Sequence, residues 1–305
     1  MADTGALVIC VPNFSEGRRR DVIDAICEAL SGTGGARLVY RQADPEHNRL
    51  DTTVVGSPDA VRASALAGAA KAVGLIDMTT HTGGHPRMGA ADVIPFVPLS
   101  GISMDEVVDL ARAFAAELAD ALGIPVYLYD RAATSPDRAS LAEVRKGEFE
   151  GLRDAVARGE RLPDLGPYEI GKAGATAVGA RKPLVAFNIY LTGTEGDVKE
   201  IAKSVRESSG GLPAVRAIGF AVPERRAVTV SMNLIDIDVT TPRVAFDAVS
   251  RLAAERGMTV RSSEIVGLVP GAALGDDDIG YLRLEGFDAD EQILERLVNA
   301  ERNRR

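Results

Sequence analysis

The chain has 305 residues, 46% hydrophobic and 26% charged, without Trp. That ordinary globular composition can bury sizeable cores without disulfides or a structural metal, and at roughly 100–200 residues per domain two domains are expected. A formal net charge of −9 excludes protein-wide affinity for nucleic acid or an anionic membrane, while leaving room for a local cationic pocket that takes an anionic small molecule.

Residues 6–14, ALVICVPNF, form a Val/Ile-rich run predicted as a buried strand. This start has no basic n-region, and no apolar segment approaches the roughly 20 residues of a bilayer span, so a cytoplasmic location is expected. Cys10 and Cys27 make no CxxC pair, which fits buried thiols in a reducing compartment. After SEGRRR, residues 21–30 show helical spacing and stop at SGTGG. Strands over 37–43 and 50–56 flank the loop DPEHNR, a helix with a Ser-Pro start spans 57–76, and a strand over 91–99 follows a Gly/Pro-rich loop. A long helix over 103–123 and a strand over 124–130 complete the first half.

The second half begins with a strand over 182–193 and a helix over 196–211. Strands over 214–222 and 227–239, a helix over 241–257 and a strand over 258–270 follow, and the charged tail after Gly286 is predicted as a terminal helix. Stripped of insertions, both halves read β-α-β-β-α-β, the split-βαβ, ferredoxin-like order of an α/β (α+β) protein. Domains are therefore expected at residues 1–180 and 181–305. Between the repeats, residues 131–180 hold a helical stretch at 135–152 and then a loop from 163; a loop that long is usually functional.

Four stretches carry candidate chemistry. His81 and His85 stand i, i+4 in HTGGHPRMGAADVIPF, but Gly83, Gly84 and Pro86 oppose a helix, so a zincin-like pair is not expected and no metal is assigned. In DPEHNR, a plain hairpin turn competes with Arg49 as a bidentate carboxylate partner oriented by His47 and Asn48. GKAGATAVGARK lacks the Lys-Ser/Thr of a phosphate loop and precedes a strand, yet its glycines suit a close approach to a flat ligand. In VPNFSEG, Ser15 is expected to cap the following helix, with Glu16 at its positive end and Asn13 available to a ligand.

Together, in this order, these stretches resemble the glutamate formimidoyltransferase (formiminotransferase) family. The resemblance rests on CVPNFSEG, HNR, HPRMGAADVIPFVP, VYLY, EVRKGEFEGL, PDLGP with AGATAVGARK, FNIYL, IAKSVRESSGG, VSMNL and SEIVGLVP, over about residues 8–275. It does not extend to a cyclodeaminase domain. It implies two ferredoxin-like subdomains with a folate tunnel between them, a homodimer, and transfer of a formimino group from N-formimino-L-glutamate to N5 of tetrahydrofolate in histidine catabolism. Tetrahydrofolate would be the co-substrate. The family's catalytic histidine falls on His85, acting as general base and then acid. Its folate-binding segment falls on Gly166, Pro167, Tyr168, Glu169, Ile170, Gly171, Lys172, Ala173 and Gly174, with Lys172 suited to the folate's glutamate tail.

Asn13, His47, Asn48, Arg49, Arg87 and Asp92 are expected around the substrate. Arg49 and Arg87 would clamp carboxylates, and Asp92 would orient His85 or a guanidinium unless it merely starts a strand. Two departures stand beside the resemblance. The family's Glu before the catalytic His is Gly84 here, and its acidic residue near position 42 is Gln42. A divergent folate-binding protein with a changed donor or weak transfer is therefore the alternative, and a metal-dependent hydrolase using His47, His81, His85 and Asp92 is a third, least favoured reading.

Overall fold

Two sheets, one of seven strands and one of four, carry the architecture. The computed structural model describes residues 5–302, with side chains described through residue 298. The chain divides into two units at Arg181/Lys182, each with its own hydrophobic core. A mixed α/β fold is thus present in both.

In the first unit, β1 (Leu7–Cys10) and β2 (Asn13–Phe14) are two pieces of one strand, interrupted at Pro12, which has no N–H to give the ladder. Both pieces pair antiparallel with β4 (Arg49–Gly56) on one side and β5 (Ala91–Ser100) on the other, and β3 (Arg37–Asp44) pairs outside β4. Beyond β5, the sheet continues with two parallel strands, β7 (Thr176–Ala180) and then β6 (Val126–Asp130). Helices α1 (Arg20–Ser31), α2 (Pro58–Leu75) and α3 (Met104–Leu122) connect them. Ser57 accepts the Ala60 amide at the start of α2, where Pro58 occupies the first turn. A reciprocal Ser103–Glu106 capping box starts α3, and Gly123 ends it at φ 61°. α1 is different: its N-cap is Arg19, without a side-chain cap, and the Ser15 hydroxyl donates instead to the Gly89 carbonyl at 2.8 Å. The capping work falls to buried Glu16, whose carboxylate accepts the amides of Arg18 and Arg19, both at 2.9 Å.

Two segments differ from the expectation. The stretch from residue 163, expected as loop, contains β7, five consecutive buried residues, TAVGA, between β5 and β6. The expected helix over 135–152 is broken into a 3-10 turn (Pro136–Arg138), α4 (Leu141–Val144) and α5 (Glu148–Ala157). At the start of α5, Gly147 and Glu148 take φ of 82° and 56°, a reversal of the chain just after the residue that follows α4.

In the second unit, β8 (Val185–Leu191), α6 (Glu195–Val205), β9 (Val215–Val222), β10 (Ala227–Leu234), α7 (Pro242–Ala254) and β11 (Val260–Val266) follow in chain order. Their sheet runs β11-β8-β10-β9, every pair antiparallel. After α8 (Asp278–Tyr281), the expected single terminal helix is two short ones, α9 (Ala289–Gln292) and α10 (Leu294–Arg302); residues 303–305 of that expectation lie outside the described residues. No helix among the described residues is long and apolar enough to cross a membrane.

Candidate active site

A buried ion cluster sits where β2, β4 and β5 meet. Asn13 pairs across to Asp51 in β4 and to Val93 in β5, so its carboxamide reaches the first residue of β4, Arg49. Arg49 Nε donates to Asn13 Oδ1 at 3.0 Å, Nη2 donates to the same oxygen, and Nη1 donates to Asp92 Oδ2 at 2.8 Å. Asp92, fully buried near the start of β5, also accepts the Met88 amide at 2.7 Å and lies 2.7 Å from Arg145 Nη2. Arg145 is the residue that follows α4. Burial would raise the Asp92 carboxyl, but the guanidiniums of Arg145 and Arg49 outweigh it and hold the group below its ordinary value. Asp92 therefore orients two guanidiniums.

Above this cluster lies the histidine loop. Asn48, at φ 51°, accepts the Gly17 amide at 2.8 Å and donates to the Thr82 carbonyl at 2.9 Å, pinning three loops together. Gly83 is held so close that a Cβ there would lie 2.4 Å from the His47 carbonyl, whereas a Cβ on Gly84 would meet nothing closer than 3.9 Å. His85 Nδ1 lies 2.7 Å from the Pro86 carbonyl, which can only accept, so Nδ1 carries the proton and Nε2 keeps a free lone pair. Burial, then the positive charges of Arg49 and Arg145, push the His85 imidazole down to about 4. It is neutral at pH 7.

The other histidines are tied differently. His81 Nε2 donates to the Asn48 carbonyl at 3.3 Å and its Nδ1 accepts from Arg87 Nε at 3.4 Å, leaving neither nitrogen over. His47 Nδ1 donates to the Asp44 carboxylate at 2.6 Å, and its ring stands edge-on to His85 with centroids 6.3 Å apart. Arg87 does not face the cluster as a free clamp. Its guanidinium is held by Glu148 and, in a bidentate pair at 2.6 and 3.0 Å, by Glu150 of α5.

The glycine-rich segment docks beside the histidine loop. Ala90 N donates to Ala173 O at 2.8 Å, Ala175 N to Met88 O at 2.9 Å, and Met78 N to Lys172 O at 2.8 Å. Gly89 and Gly174 bridge each other, and a Cβ on Gly174 would lie 2.3 Å from the Met88 carbonyl. Ile170 is buried there, while Tyr168 is 67% exposed and Gly166, Pro167, Glu169, Gly171 and Lys172 are also exposed.

Asn13, His47, Asn48, Arg49, His85 and Asp92 thus come together, with Ala173 and Gly174 tied to the loop that carries His85 and Arg87 facing α5. Arg145 is the residue that sequence reading passed over. It stands in EVRKGEFEGL among ordinary surface-looking charges, and no spacing signal marks one arginine in that run as turned inward. No group of three or more His, Cys, Asp or Glu side chains placed to hold a metal ion occurs among the described residues, and the Asp92 carboxylate is already shared by two arginines.

Fold and site define a two-unit α/β chain whose first unit presents a neutral imidazole over a cationic cluster, a setting for an anionic small molecule. Residues 7–181 match the formiminotransferase domain, N-terminal subdomain, and residues 186–299 match the formiminotransferase domain. The chain belongs to the formiminotransferase family. It is 42% identical over 301 residues to the glutamate formimidoyltransferase of Thermoplasma acidophilum, covering 98% of this chain and 99% of that one. It is 41% identical over 291 residues to that of Streptococcus pyogenes serotype M1 (95% and 97% covered). To the formimidoyltransferase-cyclodeaminase of Rattus norvegicus it is 44% identical over 300 residues, covering 96% of this chain but 56% of the relative. The chain thus spans about half the length of such cyclodeaminase-bearing relatives.

Proposed function

We propose that this protein transfers the formimino group of N-formimino-L-glutamate to N5 of tetrahydrofolate, with His85 as the proton carrier. The observation that carries this reading is the free Nε2 of a neutral His85 above the Arg49–Asp92 pair. N5 attacks the amidine carbon, a C–N5 bond forms, and the proton lost from N5 goes to His85 Nε2. The bond from that carbon to the glutamate nitrogen then breaks as His85 returns the proton to it, releasing glutamate and 5-formimino-tetrahydrofolate. Arg49, steadied by Asn13 and Asp92, is placed to pair with a donor carboxylate, and Asn48 and His47 line the approach.

The segment Gly166–Gly174 is the proposed folate-binding stretch, supported by its exposed glycines and Lys172 and by its hydrogen bonds to the His85 loop. We read both units as ferredoxin-like, on the strand order and connections given above. A homodimer in the cytoplasm, serving histidine catabolism, completes the proposal.

The test is a steady-state assay with formiminoglutamate and tetrahydrofolate. His85→Ala is expected to lower turnover by about 10²–10⁴-fold while tetrahydrofolate binding survives; near wild-type turnover would remove His85 from the mechanism. Folate binding without any transfer by the wild type would favour the divergent folate binder that Gly84 and Gln42 suggest.

A further inference from the structure

The cluster beneath His85 sets two guanidiniums against a single fully buried carboxylate. Arg49 and Arg145 share one buried carboxylate, Asp92, and Asp51, 3.5 Å from Arg49 Nε, is the sole other carboxylate ion-paired to either guanidinium among the described residues. The Asp51 side chain is 47% exposed, so water screens this second counter-charge. Each nitrogen of Arg49 has a partner, Asn13 for Nε and Nη2 and Asp92 for Nη1, and the second N–H of each Nη stays available to a ligand. Arg145 is less fully partnered. Nη2 holds Asp92, but Nε is buried without any hydrogen-bond partner. A buried, charged donor with no acceptor is among the costliest arrangements a fold can keep, and it persists where a ligand completes it.

Resting on the function proposed above, we infer that Arg145 is a substrate-binding residue: with Arg49 it anchors a carboxylate of the acidic one-carbon donor and so sets the donor's amidine at His85 Nε2. The side chain is suited to this by its planar fork, one edge fixed on Asp92 and the rest uncommitted. Carboxylate arrival has a second effect. The groups facing His85 are the guanidiniums of Arg49 and Arg145, the Asp92 carboxylate, the His47 ring and the Pro86 carbonyl, and the surplus among them is positive. A bound carboxylate cancels that surplus, so His85 gains basicity when the donor is seated and stays a poor base when the site is empty.

The probes are L-glutamate, glutarate and the neutral glutaramide, titrated by calorimetry into the full chain, with the His85 ring followed by NMR. Wild type should bind both carboxylates and not the diamide, and binding should move the His85 titration upward. Arg145→Gln should weaken both carboxylates by about tenfold or more and abolish the shift. Arg145→Lys, which keeps the charge but not the fork, should keep the shift with weakened affinity, and it serves if the Gln variant fails to fold. Carboxylate binding undiminished in Arg145→Gln, or a wild type that takes no carboxylate, overturns the anchor. Glutamate binding lost with Arg145 in a protein that shows no transfer would instead sink the activity and leave the anchor standing.

Discussion

Adjacent glycines on the histidine loop have opposite tolerances. A Cβ on Gly83 would collide with the His47 carbonyl at 2.4 Å and with Asn48 Cβ at 2.8 Å, backbone and pinned side chain that cannot yield. Gly83→Ala should therefore shift the loop, lowering stability by about 1–3 kcal/mol and turnover with it, as thermal unfolding and the transfer assay would reveal. Gly84 faces open space, its nearest neighbours the Glu46 carbonyl and His47 Cδ2 at 3.9 Å. Gly84→Glu should fold normally, and its carboxylate, beside the His47 and His85 rings, should raise the His85 titration and increase transfer. A loss of stability or an unmoved His85 resonance would count against that placement. Physical reading alone leaves the site residues open at this scale: Arg49 fits a plain hairpin turn, His85 a polar loop and Asp92 a strand start, and the family resemblance is what singles them out together with Asn13. Arg145 was not readable. Its importance comes from its turning inward just before the reversal at Gly147 and Glu148, while Lys146 stays exposed. Nor was the loss of Arg87 to Glu148 and Glu150, carboxylates 61 and 63 positions away.

Periodicity exposes an element when its polar face meets water, and it hides one buried on all sides. Helices α1, α3, α6 and α7 show the helical apolar period, and capping residues Ser103, Thr194 and Thr241 mark three of their starts. β7 offers neither signal. TAVGA is five small residues between parallel neighbours, set in a glycine-rich run whose composition reads as loop. Gly179 shows why the residues must be small: a Cβ there would stand 2.5 Å from the Tyr129 ring. The docking of this segment depends most on Gly174, at φ 75° and with no room before the Met88 carbonyl. Gly174→Ala should break the Ala90–Ala173 and Ala175–Met88 hydrogen bonds and destabilise the first unit by at least about 2 kcal/mol. If the segment also binds folate, tetrahydrofolate affinity should fall in parallel. Hydrogen exchange would locate the damage, and protection kept at Ala90 and Ala175 would contradict the assignment.

Across the whole chain, titration is distributed unevenly. All three histidines lie at positions 47–85, in the first unit, and the second unit has none. Burial is the main cause lowering His81 and His85, the latter to about 4. For a group whose folded value is depressed, the unfolded chain binds the proton first. The stability it contributes is complete above the unfolded value, near 6.5 for histidine, and is lost as pH falls toward the folded one. Asp92 has the same sign but acts below the ordinary carboxylate range, whereas Asp51, raised by burial, acts in the opposite sense. Between pH 7 and 5, the first unit should therefore lose stability while the second stays nearly level, with the partial exposure of the His85 loop tempering the size of the loss. Calorimetric melting across that range should show a falling midpoint in wild type and a flatter slope in His85→Gln. Amide exchange at pH 5 should quicken first around β4, β5 and the histidine loop. Loss of protection beginning in β8–β11 instead would mean that surface carboxylates, and not the buried imidazoles, govern the acid response. The same measurement repeated with saturating L-glutamate separates the two causes: a carboxylate on Arg49 and Arg145 should raise the His85 titration and so reduce the acid loss in the first unit, an effect that surface carboxylates have no means to produce.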